Sequence, residues 1–116
     1  MGDSYKDLLA WQRAIEMSVA LYKFTSGFPK EETYGLASQL RRAGVSVPSN
    51  IAEGYARLSR GEYKQFLGIA RGSNSEVQTQ LVIARELGFG SPQLLDKAEG
   101  LSNEVGKLLA GILRGL

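Results

Sequence analysis

The chain has 116 residues, enough for one domain around one core, and its 43% hydrophobic and 22% charged residues argue against disorder. It contains no Cys and no His. That excludes disulfides, thiolate and zinc-thiolate chemistry, every Ser-His-Asp or Cys-His nucleophile and the commonest metal ligand, so the chain is expected not to be an enzyme and to need no cofactor.

The opening residues, Met1 to Lys6, hold no hydrophobic leader-like run, and Lys6 stands where a myristoylation motif wants Ser or Thr. No run of 18 apolar residues occurs anywhere, so the expectation is a cytoplasmic protein with no membrane span. Apolar residues recur at steps of three and four, which predicts helices throughout. The first carries Leu8, Trp11, Ile15, Val19 and Tyr22 as its predicted core face and stops near Gly27. Pro29, followed by Glu31 and Glu32, predicts the start of the second, with acids in the favourable first turn. Leu36, Leu40, Ala43 and Val47 form its stripe. Pro48 lacks an amide and predicts a kink, after which Asn50 and Glu53 have the spacing of a capping box for a helix resuming through Ile51 to Arg57.

Ser59-Arg60-Gly61-Glu62 is a stronger capping box and opens the third helix, which Gly88 and Gly90 end after Leu87. Its predicted seam is Phe66, Ala70, Ser73, Val77, Gln80, Ala84 and Leu87, with Leu67 and Leu81 on one flank and Ile69 and Ile83 on the other. An arc that wide predicts more than one neighbour and favours self-association. Lys64, Arg71, Gln78 and Arg85, seven apart, form a polar row opposite. Ser91-Pro92 opens the fourth helix with an N-cap and a first-turn proline. Leu94, Ala98, Leu101, Val105, Leu108 and Ile112 then follow, widened by Leu95, Leu109 and Leu113. Short connections make neighbours antiparallel, so the predicted fold is an all-α, up-down four-helix bundle in a single domain over 1–116.

Charge is concentrated in the middle. Six cations, Arg41, Arg42, Arg57, Arg60, Lys64 and Arg71, share the stretch 41–71 with only Glu53 and Glu62. Guanidinium groups pair with phosphate oxygens in a bidentate way, so these six are the candidate nucleic-acid-binding residues. The competing reading is a solvated face, with one Arg paired to Glu53. Ser46, Ser49, Asn50 and Glu53 form a polar run beside Pro48 that either caps the resumed helix or joins Ser73 and Glu76 in a ligand cluster; structural capping is the better-supported of the two. Glu53 and Glu76 alone are too few for a di-metal bundle, which needs four carboxylates and Glu-x-x-His pairs. Trp11, Tyr22 and Phe66 are expected in the core, leaving Tyr55 and Tyr63 as the aromatics nearest the cations.

The run from Tyr5-Lys6-Asp7-Leu8 to Trp11-Gln12 resembles the start of the bacterial four-helix-bundle proteins named after the 23S rRNA intervening sequences that encode some members. Phe28-Pro29, Tyr34-Gly35-Leu36, Gln39-Leu40-Arg41-Arg42-Ala43, the specific block from Ser46 to Gly54, and Ala70-Arg71-Gly72-Ser73 with Glu76 continue the resemblance through most of the chain. It implies a homopentameric ring. A related family, the accessory proteins of diversity-generating retroelements, similarly forms a pentameric, positively charged barrel that associates with a reverse transcriptase and nucleic acid. The resemblance carries no catalytic residues. It matches Arg41, Arg42, Arg57 and Arg71 to recurrent basic positions, and Asn50, Glu53, Ser73 and Glu76 to recurrent polar ones. The expected function is therefore a homo-oligomeric scaffold that binds nucleic acid with little sequence specificity. The alternative is an adaptor for a protein partner such as a reverse transcriptase or ribonucleoprotein.

Overall fold

Four helices build the fold in the computed structural model, which describes residues 4–116. They are α1 (Leu9–Thr25), α2 (Leu36–Tyr55), α3 (Arg60–Leu87) and α4 (Pro92–Arg114), with single 3-10 turns at Tyr5–Asp7 and Lys30–Glu32. Met1 to Asp3, part of the opening stretch without a leader-like run, lie outside the described residues. Among the described residues no helix is long and apolar enough to cross a membrane.

Most predicted boundaries hold. Ser59 Oγ accepts the Glu62 N–H at 3.1 Å to open α3, and Ser91 Oγ accepts that of Leu94 at 3.4 Å to open α4. Gly88 ends α3 at φ 71°, a conformation side chains rarely tolerate. The second start is different. Pro29 only precedes the short turn Lys30–Glu32, and α2 begins at Leu36, whose N–H donates to Glu32 Oε1 at 3.0 Å. Glu32 thus meets the positive end of α2 from outside, which satisfies the same electrostatics that predicted it inside the first turn.

Cross-helix contacts run in opposite chain directions at every neighbouring pair, as an up-down bundle requires. Tyr22 meets Arg41 while Trp11 and Ile15 share a groove with Ser49 and Ala52. Gly54 abuts Phe66 while Gln39 shares a groove with Gln80. Arg85 meets Asp96 while Arg60 meets Gly115. Among the described residues α1 makes no close backbone approach to α3, nor α2 to α4, so the four helices stand in a square and α1 and α3 are diagonal. The bundle measures 43 × 23 × 20 Å.

The first helix faces the core with a different row from the predicted one. Ala10, Ala14, Met17, Leu21 and Phe24 are buried, whereas Ile15 and Tyr22 are partly exposed, Val19 is half-exposed and Leu8 precedes the helix. Both rows are apolar, and periodicity alone does not choose between them. The alanines win the inside because they let α1 approach its neighbours closely, while Met17, Leu21 and Phe24 fill the centre. On α4 the fully buried row, Leu95, Ala98, Ser102, Val105 and Leu109, likewise lies between the two predicted rows. On α3 the buried side is Leu67, Ala70, Ser73, Asn74, Val77, Leu81 and Ala84; Ile69, Ile83 and Leu87 remain exposed.

Pro48 lies inside α2, and the helix continues through it to Tyr55 rather than restarting at Asn50. Its missing amide leaves the Gly44 carbonyl without an i+4 donor. Ser18 Oγ of α1 donates to that oxygen at 2.8 Å, so the gap is closed by the neighbouring helix rather than by local caps. Two glycines on α2 allow the close crossings. A Cβ at Gly44 would stand 2.6 Å from Leu21 Cδ1, and one at Gly54 would stand 2.7 Å from Phe66 Cβ.

Candidate nucleic-acid interface

The six predicted cations occupy three environments. Arg41 Nε donates to Thr25 Oγ1 at 2.8 Å and its guanidinium lies 4.6 Å from the centre of the Tyr22 ring, so it sits at the electronegative end of α1. Arg57 is neutralised: its Nη2 is 2.8 Å from Glu53 Oε2, its Nη1 is 3.8 Å from Glu62 Oε2, and its guanidinium lies over Phe66 at 4.7 Å. Arg60 Nη2 donates to the Gly115 carbonyl at 3.2 Å, which leaves its charge uncompensated. Arg42, Lys64 and Arg71 are exposed and have no carboxylate within ion-pair distance among the described residues. Arg42 lines grooves with Gln39, Glu76 and Gln80 on one side and with Tyr22 and Arg41 on the other.

The predicted polar cluster divides. Ser46 and Ser73 are hydrogen-bonded at 2.8 Å across the α2–α3 contact, and Asn50 Nδ2 donates to Ser46 O at 2.8 Å and to its Oγ at 3.0 Å. Asn50 therefore braces the interior of α2 and caps nothing, which corrects the capping-box expectation. Glu53 is turned to Arg57, and Ser49 lies on the other flank of α2 against Trp11 and Ile15. Glu76 lines a groove of about 270 Å³ with Gln39, Arg42 and Gln80, and forms no ion pair among the described residues. In that groove Gln80 Oε1 is buried with no hydrogen-bond partner among the described residues.

The predicted polar row of α3 turns out to be one side of a ladder with α4. Arg85 Nη2 holds Asp96 Oδ1 at 2.8 Å and Glu99 Oε1 at 3.3 Å. The hydrogen bond to Asp96 comes first among the causes that raise the pKa of Arg85. One step on, Gln78 Nε2 donates to Asn103 Oδ1 at 3.3 Å. Beneath it lies a fully buried rung that the sequence did not single out: Asn74 Nδ2 donates to Ser102 O at 3.0 Å, and Ser102 Oγ donates to Asn74 Oδ1 at 2.8 Å. Gly106 permits this approach, since a Cβ there would stand 3.3 Å from Asn74 Nδ2. Elsewhere Arg13 bridges Glu16 and Glu104, and the Glu104 hydrogen bond leads the causes that raise its pKa.

The aromatic residues divide too. Trp11 packs against the core and edge-on to Tyr5 at 5.3 Å, and Phe66 lies beneath Arg57, but Tyr22 is partly exposed and not buried as expected. Tyr55 and Tyr63 meet at right angles, 5.9 Å apart; burial, then the neighbouring Tyr55, pushes the Tyr63 phenol above its ordinary pKa. They pack edge to face against one another and are half-buried.

The family model described as 23S rRNA-intervening sequence protein matches residues 6–111 of the chain. Among solved structures, the chain is similar to a protein of unknown function from the S23 ribosomal protein family of Bacteroides thetaiotaomicron, with a TM-score of 0.80 at 23% identity. The superposition covers 90% of this chain and 98% of the other, and it establishes a shared fold. No curated protein matches the sequence.

Proposed function

Because the chain belongs to the 23S rRNA-intervening sequence protein family, with the all-α bundle seen above, we propose that it is a non-enzymatic, homo-oligomeric scaffold that binds nucleic acid through its basic face with little sequence specificity. The observation that carries this reading is electrostatic. Of the six cations between residues 41 and 71, Arg57 alone is matched by carboxylates among the described residues; the other five keep their charge open to a polyanion. No helix presents a base-reading set, so the contacts are to phosphates and position the protein without selecting sequence.

Assembly is supported by the two apolar surfaces that the square bundle leaves outside. Ile15, Val19 and Tyr22 lie on α1, and Ile69, Val82 and Ile83 lie on α3, the diagonal helix. Apolar residues exposed on two diagonal helices suit a head-to-tail contact, which closes into a ring such as the pentamer that the family resemblance implies. Sedimentation velocity tests this: a ring sediments as one species of several subunits, and a monomer at micromolar concentration removes the assembly. Titrating salt against a short RNA duplex tests the rest. Affinity falls steeply as salt rises if phosphates are neutralised, and a flat response overturns the nucleic-acid reading.

A further inference from the structure

The ladder between α3 and α4 changes character along its length, and that change locates the polyanion. On α3 the row Arg85, Gln78, Arg71, Lys64 keeps one side of the helix, and Arg60 continues it. On α4 the row that meets it is Asp96 and Glu99, then Asn103, and by the same helical spacing Lys107 and Arg114. The far half of the seam therefore sets Arg71, Lys64 and Arg60 opposite Lys107 and Arg114. All five carry positive charge, and none has a carboxylate within ion-pair distance among the described residues. Of the nearest acids in sequence, Glu62 is engaged with Ser59 and Arg57 and Glu104 with Arg13, and Glu76 lines the groove that α3 forms with α2.

Like charges facing each other across a helix seam destabilise it unless something neutralises them. At the other end of the same seam the protein supplies the counter-charges itself. Here the described residues supply none, over a straight track of about 16 Å from Arg60 to Arg71 at the helical rise per residue. Nor does the track carry a stacking platform: Tyr63 and Phe66 face Gly54 of α2, away from α4. Proteins that hold single strands interleave cations with aromatic faces, and that feature is absent.

We propose that the Arg60–Lys64–Arg71 and Lys107–Arg114 rows form a backbone-binding track for double-stranded nucleic acid, with phosphate oxygens as the counter-charges that the seam lacks. This rests on the nucleic-acid reading above and assigns it to α3 and α4 rather than to Arg41 and Arg42 on α2.

The test compares the wild type with Lys107→Gln/Arg114→Gln, and separately with Lys64→Gln/Arg71→Gln, on a short RNA duplex and on one of its strands. All four side chains are exposed, and circular dichroism verifies that each variant keeps its helices. Each pair lowers the slope of log affinity against log salt by about 2 per protomer engaged, which is roughly a hundredfold loss at about 50 mM salt. Arg57→Gln, which removes an already neutralised cation, leaves the slope unchanged. The duplex outcompetes the single strand for the wild type.

If the wild type fails to bind the duplex even at low salt, the nucleic-acid reading falls and the track falls with it. A wild type that binds while both double variants bind equally well overturns the track alone. Equal competition by the single strand overturns the duplex assignment. Recovery from lysate of an acidic protein that resists nuclease and depends on Lys107 and Arg114 would assign the track to a protein instead.

Discussion

The two halves of the α3–α4 seam share one geometry and opposite electrostatics. In one half, Arg85 reaches Asp96 and Glu99, and Gln78 reaches Asn103. In the other, helical spacing sets Arg71, Lys64 and Arg60 opposite Lys107 and Arg114, and none of them has a carboxylate within ion-pair distance among the described residues. The comparison teaches that the paired half is complete within the chain, whereas the cationic half is held together by the apolar packing beneath it and left open to an anion. What joins the halves is the Asn74–Ser102 rung, buried at 3% and 0% exposure.

That rung is where the comparison breaks most easily. Asn74→Ala takes the acceptor from the buried Ser102 hydroxyl and one of two donors from the Ser102 carbonyl, and should cost about 1–3 kcal/mol in chemical denaturation. A smaller effect sharpens the contrast. Arg85→Glu places three acids together at the paired end, so the melting temperature drops by a few degrees at low salt and recovers as salt is added. The smallest has the opposite sign. Lys107→Glu puts an acid opposite Arg71, so the melting temperature rises slightly even as duplex affinity falls. If Arg85→Glu and Lys107→Glu shift the melting temperature in the same direction, the two halves are not electrostatically opposed.

Much of the architecture was legible beforehand, because caps and breakers act locally. Ser59 with Glu62, Ser91 with Pro92, and Gly88 mark their helix ends through hydrogen bonds and dihedral preferences that need no other part of the chain. The start of α2 was misplaced because Glu32 favours a helix N-terminus equally well from just outside it. The candidate site was less legible. A count of cations between residues 41 and 71 finds Arg60, Lys64 and Arg71, but it also includes Arg57, whose charge Glu53 and Glu62 cancel. The same count misses Lys107 and Arg114, which are distant in sequence and join the row only when α4 packs beside α3. The seven-residue recurrence from Lys64 to Arg85 was the available signal, and its other side lay on a different helix.

By itself, the order of residues determined the four helices, most of their limits and the middle concentration of positive charge, since propensity, capping and composition depend on near neighbours. Only tertiary packing decided which of two apolar rows on α1 turned inward, because alanines and larger side chains share one period and differ only in how closely they admit a neighbour. Packing also supplied Ser18 to the carbonyl that Pro48 leaves bare, and it decided which cations would find a carboxylate and which would face another cation. Charge neutralisation depends on distances of a few ångströms between helices, and a linear chain does not contain those distances.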